Sequence, residues 1–137
     1  MGDRCYMHLT CRRQDQSTFE ALGFVPDFEQ SPDSPVIEMA DEQANYAHCN
    51  ELPTAIPFTA WHSAGSNYGD GRIACDGKRW GEVACDPEGG FVVDWDFKQH
   101  RPTTASVKRI RRYLAVYDRV QRRFKAIARN TSQPSTK

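Results

Sequence analysis

Residues 103–128 constrain this chain more than any other stretch. Placed at about 100° per residue, Val107, Ile110, Tyr113, Leu114, Val116, Tyr117, Val120, Phe124 and Ile127 fill one half of a helical wheel. Lys108, Arg111, Arg112, Arg119, Arg122, Arg123 and Arg129 crowd into an arc of the other half. Pro102 with Thr103 or Thr104 supplies a start signal, so the pattern predicts one long helix ending near Ala128. Its apolar half must be covered by another element, most simply a sheet. The basic arc then points away from that cover, and only rim residues such as Arg109 and Lys125 remain within reach of acids on the sheet.

The charge of the chain is divided in the same way. Residues 1–100 hold 17 acidic and 7 basic side chains, a balance of −10. Residues 101–137 hold 11 basic side chains and one acid, Asp118, a balance of +10, so the whole sums to zero. Asymmetry of this kind points to a charged partner without naming the half that meets it. A chain of 137 residues fits one domain. The expected organisation is a single domain over 1–129 followed by a disordered polar tail over 130–137. No apolar run approaches the roughly 20 residues of a membrane span, and the start lacks an apolar signal core. A cytoplasmic protein with no membrane partner is the expectation. Five cysteines cannot all pair within one chain, and none stands in a Cys-x-x-Cys. They read as reduced, core-filling thiols.

Upstream of the helix, residues 4–11 alternate with the period of a half-buried strand. Cys5, Met7, Leu9 and Cys11 take one face and Tyr6, His8 and Thr10 the other. A short helix over about 15–22 follows, with Asp15 or Ser17 as its cap and Gly23 as its stop. Strands are read at 36–39 and 58–62, and residues 46–49 read as either strand or turn. Prolines punctuate 26–35 and 50–57. Residues 72–75 and 78–85 form a hairpin about a two-residue Asp76-Gly77 turn. Residues 91–97, with Phe91, Val93, Trp95 and Phe97 on one face, read as a third strand, giving a three-stranded meander over 71–97. The fold class is therefore α+β: an antiparallel sheet, a short N-terminal helix and a long amphipathic C-terminal helix packed on the sheet. The element order allows a ferredoxin-like arrangement.

No motif names a reaction. Cys5, His8 and Cys11 have the look of ligand spacing, but on a strand His8 points opposite to both thiols, and Cys5 and Cys11 stand about 20 Å apart at ~3.3 Å per residue. His48-Cys49 or His62 could meet Cys75 or Cys85 only through the tertiary fold. Asp94 and Asp96 share a strand face and could serve a small enzyme as an acid–base pair. The Gly-rich loop over 63–71, with Trp61, His62 and Tyr68, lacks the Gly-Lys-Ser/Thr ending of a phosphate cradle and reads as a mobile connection that could also serve as a recognition loop. No catalytic residue, metal or cofactor is assigned.

Two charged surfaces remain as candidates. Glu38, Asp41, Glu42, Asp70, Asp76, Glu82, Asp86, Asp94 and Asp96 lie on loops and strands, where carboxylates can stand in for phosphates and occupy a basic groove. Lys108, Arg111, Arg112, Arg119, Arg122 and Arg123 form a stripe able to follow a nucleic-acid backbone. The segments RCYMHLTCRRQD, FEALGF and GGFVVDWD resemble small accessory proteins of bacterial plasmids, phages and integrative elements, a group that includes anti-CRISPR proteins. That resemblance implies a compact, non-enzymatic inhibitor of a host nucleic-acid-binding defence complex. The expected partner is a charged macromolecule, a protein complex ahead of nucleic acid. The apolar half of the helix also allows a homodimer.

Overall fold

The computed structural model describes residues 4–27, 30–45, 51–63 and 69–132. Strand β1 (Arg4–Arg12) follows its alternation: Met7, Leu9 and Cys11 are fully buried, while Tyr6, His8 and Thr10 lie half-buried on the opposite face. A 3-10 turn at Arg13–Asp15 leads into α1 (Gln16–Glu20). Asp15 stands at the N-cap of α1, but its carboxylate bonds no helix N–H and instead accepts from Arg12 Nε at 2.7 Å. Gly23 ends the segment at φ 107°, a left-handed position that glycine adopts without a Cβ penalty.

Five more strands complete one sheet: β2 (Val25–Pro26), β3 (Val36–Asn45), β4 (Pro57–His62), β5 (Gly71–Asp76) and β6 (Trp80–Ala84). Their order is β2-β3-β1-β4-β5-β6, and every neighbouring pair is antiparallel. β3 runs well beyond the 36–39 expected of it. Residues 46–49 and 64–68, where a strand or turn and most of the recognition loop were expected, lie outside the described residues.

The sheet buries one face and part of the other. On one, Met7, Leu9, Cys11, Ile37, Met39, Phe58, Ala60, Ile73 and Cys75 pack with Phe19 of α1, Phe24 and Leu52. On the other, Ala74 and Val83 pack with Tyr113, Val116, Val120 and Phe124 of α2 (Thr104–Ser132). Thr103 caps this helix, its Oγ1 accepting the Ser106 N–H at 3.2 Å. α2 lies over β5 and β6, against the half of the sheet that ends at the β6 edge. Gly81 permits the approach, since a Cβ there would stand 2.6 Å from the Tyr113 Cα. Most of the apolar half of α2 is thus covered within the chain, while Leu114 stays exposed. No helix among the described residues is long and apolar enough to cross a membrane.

Four expectations need correction. The hairpin turn sits one residue later than expected: Asp76 N–H bonds to Arg79 O, Gly77 takes φ 94°, and Cys75 faces Trp80 rather than Lys78. Asp76 causes the shift, because its Oδ1 accepts the N–H groups of Lys78 and Arg79. The three-stranded meander is β4-β5-β6, and residues 91–97 are not its third strand. After a turn capped by Asp86, pairing with β6 lasts for one bridge, Cys85 with Phe91. The chain is then taken by the start of α2: Ser106 Oγ accepts the Asp94 N–H, and Asp94 O accepts the Thr103 N–H. A separate two-stranded hairpin of β7 (Trp95–Asp96) and β8 (Arg101–Pro102) follows. The ferredoxin-like order is not adopted, since no strand follows α2 and β1 pairs antiparallel with β3. Lastly, α2 runs on to Ser132, so residues 130–132 are helical rather than part of a loose tail; residues 133–137 lie outside the described residues.

The close seat of α2 is testable. Gly81→Ala is expected to cost about 1–3 kcal/mol, since backbone rather than a flexible side chain must move. Urea denaturation measures it; an unchanged midpoint would place Tyr113 elsewhere.

Candidate functional site

The amphipathic pattern of α2 decides where its cations go. With Tyr113, Val116, Val120 and Phe124 facing the sheet, Lys108, Arg109, Arg111, Arg112, Arg119, Arg122, Arg123, Lys125 and Arg129 are all exposed. From Lys108 to Arg129 the row spans roughly 32 Å at 1.5 Å per residue. Two of the predicted stripe residues turn back to the body. Arg119 Nη1 stands 3.3 Å from Asp76 Oδ2, and Arg112 Nε donates to the Trp80 carbonyl at 3.0 Å. Arg112 and Arg119 thus lie on a rim above the β6 edge, and Arg109, one helical turn before Arg112, lines the groove beside that edge. Arg122 Nε donates to the Asp118 carbonyl of its own helix. Among the described residues, Lys108, Arg109, Arg111, Arg123 and Lys125 have no acidic partner.

The predicted acidic surface does not come together. Glu38 and Asp41 face opposite sides of β3, paired across to Thr10 and Met7 of β1. Asp70 is buried, at 8% exposure. Asp76, Asp86 and Asp96 serve as turn caps, accepting backbone N–H groups of Lys78 and Arg79, of Glu88 and Gly90, and of Lys98 and Gln99. Glu82 is exposed beside the Trp80 indole, and Asp94 is exposed before the first turn of α2. Glu42 lies on β3, but its side chain is outside the described residues. Burial alone would raise the Asp76 carboxyl; the Arg79 and Lys78 N–H bonds and Arg119 outweigh it and hold the group below its ordinary 3.8.

The other chemical candidates separate. Of the pair Asp94 and Asp96, Asp96 accepts the Lys98 and Gln99 N–H groups of its turn through Oδ1. Cys11, Cys75 and Cys85 are free, buried thiols. Burial pushes Cys11 up to about 12 and raises Cys75 and Cys85 as well; the nearby Arg72 does not offset it at Cys85. His62, Asp70 and Cys85 line one groove of about 750 Å³ beside the β6 edge, together with Val92, Arg109 and Arg112. A thiol held protonated there is the opposite of an activated nucleophile.

Sequence reasoning missed three features. Residues 91–97 form an apolar strap on the outside, with Trp95 46% and Phe97 80% exposed. The strand pattern was real, but it pairs only at Phe91, in one bridge, and at Trp95–Asp96, with β8. Arg72, read only as a strand residue, runs beneath α2, bonds Tyr113 and Cys85, and its buried Nε has no hydrogen-bond partner among the described residues. A second groove, of about 360 Å³, opens between α2 and the uncovered half of the sheet; His8, Thr10, Glu38, Trp61 and Tyr117 are among its lining residues. No signal along the sequence brings these residues together.

No family model matches the chain, and no curated protein or solved structure is significantly similar to it.

Two measurements check this surface. Asp76→Ala is expected to cost about 1–2 kcal/mol at neutral pH, through the lost N–H bonds. A carboxyl held low in the fold adds stability above its unfolded value and loses it as pH falls through the folded one. The gap between wild type and Asp76→Ala should therefore be full above the ordinary carboxylate value of 3.8 and close as pH falls below it. For the thiols, mass mapping after alkylation at pH 7 should find Cys11, Cys75 and Cys85 unmodified in the native protein and modified in urea.

Proposed function

We propose that this protein is a non-enzymatic binding protein that engages nucleic acid through the exposed basic face of α2. One observation carries the reading: a row of Lys and Arg along a rigid helix, turned away from the sheet, in which five cations have no acidic partner among the described residues. Like charges held in line repel one another, and a polyanion relieves that repulsion by releasing its own counterions. Phosphates recur every ~3.4 Å along a strand, so the row can meet several in succession. The stripe is Lys and Arg alone, which favours contact with the backbone over the reading of bases.

The acidic body is the weaker candidate, because its carboxylates are dispersed over both sheet faces and three are committed to turns. The inhibitory role that the sequence resemblance implies, acting on a host nucleic-acid-binding complex in the cytoplasm, would on this reading run through shared nucleic acid rather than through carboxylates imitating phosphates.

Fluorescence anisotropy with labelled duplex and single-stranded oligonucleotides tests the proposal. Binding at low salt should fall steeply as salt rises, each duplex phosphate contact adding about 0.9 to the log–log slope. The combined variant Lys108→Glu, Arg111→Glu, Arg122→Glu, Arg123→Glu should lose more than about tenfold in affinity and flatten that slope. Absence of binding by the wild type, or binding indifferent to this variant, would falsify the reading.

A further inference from the structure

Three side chains converge on the uncovered half of the sheet, away from the helix stripe. His8 lies on β1 and Glu38 on β3. Thr10 pairs with Glu38 and His8 with Ala40, so His8 and Glu38 are diagonal neighbours on one face. Asp27 follows β2, and its N–H bonds the Glu38 carbonyl at 3.0 Å. The Gln30 side-chain amide closes the same strand edge, accepting the Glu38 N–H at 2.7 Å and donating to its carbonyl at 2.9 Å. Backbone pairing thus sets the three residues beside one another before any side chain is considered.

One ligand atom from each of His8, Asp27 and Glu38 lies within 4.8 Å of the other two. His8 Nε2 and Asp27 Oδ2 stand 3.7 Å apart, beyond hydrogen-bond length. Among the described residues no hydrogen bond joins the three side chains, and no Lys or Arg pairs with either carboxylate. Two carboxylates therefore face an imidazole across a gap that none of them fills. Ligands about 2.0–2.2 Å from a shared ion stand roughly 3–4 Å from each other, close to the spacing seen. The donor set selects the ion. Calcium and magnesium sites are built from oxygen alone, whereas an imidazole with carboxylates suits Mn²⁺, Fe²⁺, Co²⁺ or Zn²⁺.

A second feature points to a ligand. His8 and Glu38 also line the groove of about 360 Å³ between the sheet and α2, with Thr10, Trp61 and Tyr117. Three protein ligands leave coordination positions open, and here the open side adjoins a groove rather than packed side chains.

We propose that His8, Asp27 and Glu38 form a binding site for a divalent transition-metal ion, with its unfilled coordination positions toward this groove. The site is independent of nucleic-acid binding, since it stands on the sheet and not on the basic face of α2.

Titration of the full chain with Co²⁺, followed by visible absorption and calorimetry, tests it. One equivalent should bind with ligand-field bands and without a thiolate charge-transfer band. Loss of an outer-shell partner alone typically weakens a metal site 10–100-fold, so His8→Ala, Asp27→Asn and Glu38→Gln should each weaken binding at least about tenfold. The two carboxylate variants are isosteric changes at exposed positions, and circular dichroism confirms that they fold. A thiolate band would assign the ion to cysteine and overturn the proposal. So would no binding, or affinity unchanged in the three variants.

Discussion

The structure depends on the seating of α2 against β5 and β6. Tyr113, Val116, Val120 and Phe124 lose nearly all exposure there, and burial of an apolar side chain of this size is worth about 1.5–3 kcal/mol each. The contact is close because position 81 has no side chain, so the helix backbone comes down onto the strand at Tyr113. Once that face is buried, the rotation of the helix is set. Everything polar on α2 takes its direction from this contact: the outward cations, the return of Arg112 and Arg119 to the β6 edge, and the capture of residues 94–106 by the first turn.

The neutral total hides a charge distribution that does not neutralise itself. A basic face and an acidic body could have cancelled across the sheet, but the buried layer between them keeps most of the cations away from the acids. One ion pair, Arg119 with Asp76, links α2 to a sheet acid among the described residues. The acids meanwhile do local work. Asp76, Asp86 and Asp96 each hold a turn, and each turn directs the next stretch of chain: the register of β6, the departure of residues 91–97 from the sheet, and the bend before β8.

Much of the fold was legible because its signals are local. The period-two run of β1, the stop at Gly23 and the two faces of α2 depend on neighbouring residues, and each forms where the pattern puts it. The strand pattern at 91–97 is equally regular and misled, because alternation makes a strand only where a partner edge is free. The edge of β6 is closed at Ala84 by Val92, and the Asp94 N–H goes to Ser106 instead. The turn at 76–79 went astray by one residue because Asp-Gly fits two frames, and the carboxylate bonds of Asp76 choose between them.

The candidate sites divide in the same way. The sequence by itself determined the helix, its apolar face and the cations opposite, because helical periodicity places residues three and four apart on one side whatever the rest of the chain does. It determined the thiol of Cys11 as a core group by the same kind of reasoning on a strand. Only the tertiary structure decided that the acids are dispersed, that Arg112 and Arg119 are held by the body, and that His8, Asp27 and Glu38 stand together. Strand order and register decide these, and both arise from contacts between residues far apart along the chain. Local periodicity carries no information about such pairings until the sheet has closed.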